Sequence, residues 1–205
     1  VMGYAPGGSI ADWLADAGPL GEAPARRVVK AVLEGLAHLH GERVVHGAIR
    51  GGNVLLGPGA AVRLADFGLL AIRGLALGGT RLSPMEALAT AGPWLAPEIL
   101  DGGLATAAAD VWALGCFVVE MMTGSPPAVG VEERALPGGS AEGGPPPLLP
   151  QELKQLHTSC HALVERCLRP GVWARPTSSE LLVGLTEAEA GSGPPGLWLP
   201  RASAN

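Results

Sequence analysis

The stretch AAADVWALGCFVVEMMTG, residues 107–124, constrains this chain more than any other. Its apolar residues surround the helix axis, and a helix that is apolar on all sides survives in water only when other elements cover every face. It is not a membrane span. The uncharged part, VWALGCFVV at 111–119, is closed by Asp110 and Glu120 and falls short of the roughly 18 apolar residues that crossing a bilayer takes. The chain must therefore build helices around this one, and 205 residues with 47% hydrophobic content supply the apolar surface to do so.

Candidate covering elements lie on both sides. PARRVVKAVLEGLAHLH, 24–40, has Pro24 in its first turn and apolar residues at 29, 32, 33, 36 and 39, which predicts an amphipathic helix. ELKQLHTSCHALVERCL repeats the rhythm at 153, 156, 160, 163, 164 and 167. TSSE at 177–180 is a capping box opening a last helix through LLVGL. SIADWLAD predicts a short helix with Ser9 as N-cap. NVLL (53–56) and AVRLADF (61–67), separated by GPG, predict a small β-hairpin.

The remainder reads as connection. Residues 71–92 have no period and predict a long surface loop; 125–150 form a Gly/Pro-rich insert too poor in large apolar residues to pack well. The tail from Gly191 is expected to fray. The opening VMGYAPGG reads as a strand end running into a loop, and its abrupt start suggests a piece cut from something longer.

A net charge of −5 without a basic stripe argues against nucleic acid as a partner. Cys116, Cys160 and Cys167 sit in apolar helical patterns, which favours buried thiols in a reducing compartment over disulfides. With no secretory leader visible, the expectation is a soluble, cytoplasmic protein without membrane partners.

Four groups could carry chemistry. Asn53 and Asp66 flank the predicted hairpin, and an amide oxygen with a carboxylate suits a hard cation such as Mg²⁺; taken alone, both are ordinary turn residues. Asp66-Phe67-Gly68 can hold a metal, anchor a loop and let it swing, though three letters are weak evidence. Cys160-His161 with Cys167 fits no standard zinc spacing, so core packing is the better reading. Glu98 and Arg175 could form a bidentate pair, although nothing local says they meet.

Taken in order, these pieces resemble the C-terminal lobe of a eukaryotic protein kinase, over about residues 1–190. VMGYAPGGSIADWL looks like a hinge and the helix after it. HGAIRGGN at 46–53 stands where the family reads His-Arg-Asp-x-x-x-x-Asn, and DFG (66–68), APE (96–98), DVWALG (110–115) and RPTSSELL (175–182) follow in kinase order. Ile49, Arg50, Gly51, Gly52 and Asn53 have the flavour of MAP kinase kinase kinases and their STE-group relatives. The resemblance implies a protein kinase-like fold: a mainly α-helical large lobe with a short β-hairpin, lacking a small lobe in this chain, followed by a flexible tail at 191–205.

It also implies roles. Met2, Gly3, Ala5, Ser9 and Leu55 would bind the nucleotide, with Leu55 as the floor of the adenine pocket and the hinge backbone at Gly3 and Ala5 on adenine's edge. Asn53 and Asp66 would hold Mg²⁺ against the ATP phosphates. His46, Phe67 and Gly68 would be structural, Asp110 would steady the catalytic loop, and Glu98–Arg175 would be an ion pair under the activation segment. A glycine-rich loop, a Lys-bearing strand and a partner Glu would lie before Val1, so ATP and Mg²⁺ binding requires a small lobe that these residues do not include.

The departures concern one reaction. The position of the Asp that orients the attacking hydroxyl is Ala48, and a methyl group accepts no proton. A general base contributes roughly 10²–10⁴ in rate. The Arg before it is Gly47, the Lys after it is Arg50, and the Thr that packs against both in Ser/Thr kinases is Ala91. Thr80, Ser83 and Thr90 could accept phosphate, but with Gly47 in place of the pairing Arg such a phosphate is not expected to order the loop. The leading expectation is thus a catalytically impaired pseudokinase, serving as a nucleotide-binding or allosteric module with protein partners in a phosphorylation cascade. An active Ser/Thr kinase with an unusual loop and a scaffold that binds no nucleotide are the alternatives.

Overall fold

A computed structural model describes residues 5–66, 92–125 and 159–190. The predicted loop up to residue 91, the insert beyond Ser125, residues 152–158 and the tail from Gly191 lie outside the described residues.

The all-round apolar stretch forms helix α4 (Ala107–Thr123), and every residue from Ala109 to Met121 is buried. Its Val and Phe content gives it no special helix propensity. Burial holds it instead, at about 1.5–3 kcal/mol for each large apolar side chain removed from water. It ends at Gly124, whose φ of 80° places it in the left-handed region and whose N–H reaches Glu120 O at 2.8 Å. Among the described residues, no helix is long and apolar enough to cross a membrane.

Helix α2 (Glu22–Gly41) covers one side of α4. It buries Val29, Val32, Leu33 and Leu36 of the predicted stripe together with Val28, which the stripe did not include, while Leu39 is half-buried. Helix α5 (Ser159–Cys167) covers another and approaches very closely: a Cβ at Gly115 would lie 2.7 Å from Cys167 Cβ and 2.9 Å from Leu168 Cδ2. Helix α6 (Ser178–Ala190) packs on α2 and buries Leu181 and Leu185. Its capping box forms as expected: Thr177 Oγ1 accepts from Glu180 N at 3.2 Å, and Glu180 Oε2 accepts from Thr177 N at 2.8 Å. The short helix α3 (Pro97–Leu100) precedes α4.

The hairpin consists of β1 (Val54–Leu56) and β2 (Val62–Leu64), antiparallel with Val54 opposite Leu64. Val54 and Leu56 face the core while Leu55 turns to the other side and bridges to Ser9. Ser9 caps α1 (Ile10–Ala17) in a reciprocal box with Asp12, so the predicted N-cap is correct.

Candidate active site

The loop 46–53 leaves α2 and enters β1, and two carboxylates of α4 hold it. Asp110 accepts His46 N at 2.8 Å and His40 Nε2 at 2.9 Å on Oδ2, and Gly47 N at 2.7 Å on Oδ1. His40 Nδ1 lies 2.9 Å from Ser178 Oγ. A carboxylate only accepts, so Nε2 carries a proton toward Asp110, while Nδ1 meets the Ser178 hydroxyl. One buried group thus ties α2, α4 and α6 to the start of the loop.

Further bonds set the rest of the loop. Ala48 N donates to His46 Nδ1 at 3.2 Å, and Asn53 Nδ2 donates to Ala48 O at 2.8 Å. Glu120, the second α4 carboxylate, accepts Gly51 N at 3.0 Å and Trp94 Nε1 at 2.8 Å on Oε2. A Cβ at Gly51 would stand 2.6 Å from Glu120 Oε1, which is why this turn needs glycine. Burial pushes the Glu120 carboxyl above its usual range, against the opposing pull of the Gly51 and Trp94 donors and of the Arg50 charge. Burial pulls the His46 imidazole below its usual range, against the raising effect of Asp110.

Asn53 and Asp66 both lie at the open end of the hairpin, where Ala65 N donates to Asn53 O at 2.9 Å. Asn53 is buried with its amide N–H on Ala48, which orients the side chain and leaves Oδ1 as its acceptor for a cation. Asp66 is exposed and has φ 58°, a left-handed conformation costing roughly 1–2 kcal/mol in an L-residue, to which Asp is better suited than most. An amide oxygen and an exposed carboxylate are donor types that suit Mg²⁺. Among the described residues no group of three or more His, Cys, Asp or Glu forms a metal cluster. Cys160 and Cys167 instead lie in the core, their thiols pushed by burial up to about 11 and about 12.

Glu98 and Arg175, 77 positions apart, do meet. Arg175 Nη1 and Nη2 donate to the two Glu98 oxygens at 2.6 and 2.8 Å, and carbonyls of Ala108, Arg169 and Pro170 accept its other N–H groups. The guanidinium also lies 4.9 Å from the Trp112 ring centroid. This fork joins α3, α4 and the turn before α6.

Between the loop and the segment 94–96 runs a small, mostly apolar cleft, with Ala48 and Arg50 on one wall, Trp94 and Ala96 on another, and Ala109 and Ala113 of α4 beneath. Ala5 lies half-buried in the turn before α1, and the Ser9 hydroxyl serves the α1 cap. Met2, Gly3, Phe67, Gly68 and Ala91 lie outside the described residues, as do Thr80, Ser83 and Thr90. Sequence reasoning missed His40, Ser178, Trp94 and the structural task of Glu120. The available signal was a carboxylate inside a helix that is otherwise wholly apolar, since such a group must find donors.

A central buried helix, a loop hung from two of its carboxylates, and an Asn/Asp pair at a hairpin mouth define the large lobe of a phosphotransferase-type fold. A family model described as protein kinase domain matches residues 1–184, and the chain belongs to the protein kinase family. It is 34% identical over 186 residues to human mitogen-activated protein kinase kinase kinase 19, covering 88% of this chain and 14% of that protein. Mitogen-activated protein kinase kinase kinase 3 of Arabidopsis thaliana is 34% identical over 181 residues, covering 87% and 28%. Serine/threonine-protein kinase STE11 of Saccharomyces cerevisiae is 33% identical over 131 residues, covering 60% and 17%. The chain thus spans well under a third of these relatives. A solved structure of the Rad53 kinase domain and SCD2 with AMPPNP superposes with TM-score 0.62 at 20% identity, covering 88% of this chain and 65% of that one, and shows the shared fold.

Proposed function

We propose that this chain is the large lobe of a MAP kinase kinase kinase-like domain that keeps its scaffold and its means of binding Mg²⁺-nucleotide but has lost efficient phosphoryl transfer. One observation carries this reading. Ala48 presents a methyl group at the cleft, in a loop held by Asp110, Glu120 and Asn53. A loop so tied has little freedom to bring another group to that point.

In this reading residues 1–190 form the lobe, with 125–150 as an insert, and the complete protein supplies a small lobe to close over ATP. Asn53 and Asp66 would hold Mg²⁺, which would neutralise phosphate charge; Ala5, Ser9 and Leu55 would border the nucleotide. With no base at Ala48, the bound state itself would be the output, read by protein partners of a phosphorylation cascade in the cytoplasm. Melting of the full-length protein with ATP, with and without Mg²⁺, tests the nucleotide part. ATP with Mg²⁺ raises the melting temperature, and Asp66→Ala removes the Mg²⁺-dependent share. No shift under either condition refutes nucleotide binding and favours a pure scaffold.

A further inference from the structure

Trp173 is 99% exposed, whereas Trp13, Trp94 and Trp112 are buried or half-buried. Single exposed aliphatic side chains are ordinary on a protein surface, but a tryptophan left wholly in water forgoes one of the largest apolar burials a side chain can contribute. Nor does it stand on a loose loop. Arg175 Nε donates to Arg169 O at 2.7 Å, Arg169 Nη1 donates to Ala174 O at 3.1 Å, and Ala174 N donates to Gly171 O at 3.0 Å. The turn 169–175 is cross-tied and holds Trp173 near its tip. The same Arg175 fixes a second loop, because it grips Glu98 of α3 and Ala108 O of α4. The connection between those two helices carries Leu104, which is 70% exposed. Arg169 is exposed too; its hydrogen bond goes to a carbonyl, and among the described residues it forms no ion pair.

We infer that these two loops form a docking surface for an acidic segment of a partner protein, its apolar side chains on Trp173 and Leu104 and a carboxylate on Arg169. Trp and Arg are the residue types that carry most of the binding energy at protein interfaces. A turn already tied across itself presents them without the ordering cost that a flexible loop incurs on binding. The sign of the partner follows from Arg169, whose charge attracts a carboxylate and repels a basic segment. Both loops hang on the Glu98–Arg175 fork, away from the position of the missing base, so the surface serves a partner whether or not the lobe transfers phosphate.

The test is fluorescence anisotropy of the full-length protein with two degenerate peptide libraries, each with two fixed leucines, flanked by glutamates in one and by lysines in the other. The glutamate library should bind about 3- to 10-fold more tightly, the range that exchanging attraction for repulsion at one exposed charge gives. Trp173→Ser should weaken its binding by about 10- to 30-fold, as loss of an interface anchor does. That variant should melt like wild type, because the Trp173 side chain is buried against nothing in the lobe. Arg169→Gln, which keeps a donor for Ala174 O, should remove the preference between the libraries. Absence of binding, equal binding of both libraries by wild type, affinity untouched by Trp173→Ser, or a preference that survives Arg169→Gln overturns the inference. Sedimentation equilibrium tests the rival occupant: self-association that Trp173→Ser abolishes assigns the surface to a second copy of this chain and overturns it as well.

Discussion

Replacing Asp110 with Asn changes no volume and removes one acceptor, so its effect isolates the tie between α4 and the loop. Asn keeps a single oxygen. If that oxygen takes the Oδ2 place it retains His46 N–H and His40 N–H, and its NH₂ then points at Gly47 N–H, which now donates at 2.7 Å. One bond is lost, two donors oppose each other, and the two surviving bonds lose their charge assistance. The reverse orientation sacrifices two bonds and is worse. Hydrogen bonds to charged groups contribute about 1.5–3 kcal/mol and a buried orphan donor costs about 1–3 kcal/mol, so Asp110→Asn should destabilise by about 3–5 kcal/mol. For a chain of this size that lowers the melting temperature by about 6–20 °C. Urea unfolding reads the global term, and hydrogen exchange at the amides of His46 and Gly47 reads the local one. A loss under about 1 kcal/mol with both amides still protected would refute the argument that this carboxylate holds the loop.

Other substitutions test separate links. Arg43 has φ 60° just past α2, where Arg43 N reaches His40 O and Val44 N reaches Leu39 O in the double-bond pattern that glycine usually closes; Arg43→Gly should raise stability by about 0.5–1 kcal/mol in urea titration. Gly115→Ala should lower it by about 1–3 kcal/mol, because overpacking against Cys167 and Leu168 outweighs a helix-propensity gain of about 1 kcal/mol. His46 accepts Ala48 N at Nδ1, so protonation loses that bond, and burial holds its pKa below the ordinary 6.5 of an exposed imidazole. The unfolded chain therefore binds the extra proton first, and stability should fall as pH drops below 6.5 towards the folded value, by no more than about 1.4 kcal/mol per pH unit. His46→Asn, which keeps an acceptor but no titration, should flatten that part of the urea-midpoint profile.

What the sequence made legible was local or periodic. The all-round apolarity of 107–124 required a central helix, the hairpin followed from two apolar runs joined by a short Gly/Pro turn, and both caps from residues three positions apart. Composition and periodicity show Asp110 and Glu120 only as the ends of an apolar run. The resemblance assigned Asp110 to the loop, and no motif or period in the sequence pointed to the buried support that Glu120 gives it. Their donors lie far away in sequence: His40 is 70 positions from Asp110, and Gly51 is 69 from Glu120. No periodicity encodes such pairings, nor the 138-position link from His40 to Ser178. The Glu98–Arg175 pair became an expectation only through the ordered kinase motifs. The same motifs exposed the substitution at Ala48, which composition alone would pass over.

The central claim, a retained scaffold without its base, is tested most directly by phosphate transfer from ATP in the presence of Mg²⁺. Purified full-length wild type should be measured beside Asp66→Ala and Ala48→Asp. The account predicts wild-type turnover no greater than that of Asp66→Ala, with any gain confined to Ala48→Asp and bounded by the roughly 10²–10⁴ a general base supplies. Sustained wild-type transfer that Asp66→Ala abolishes would contradict it.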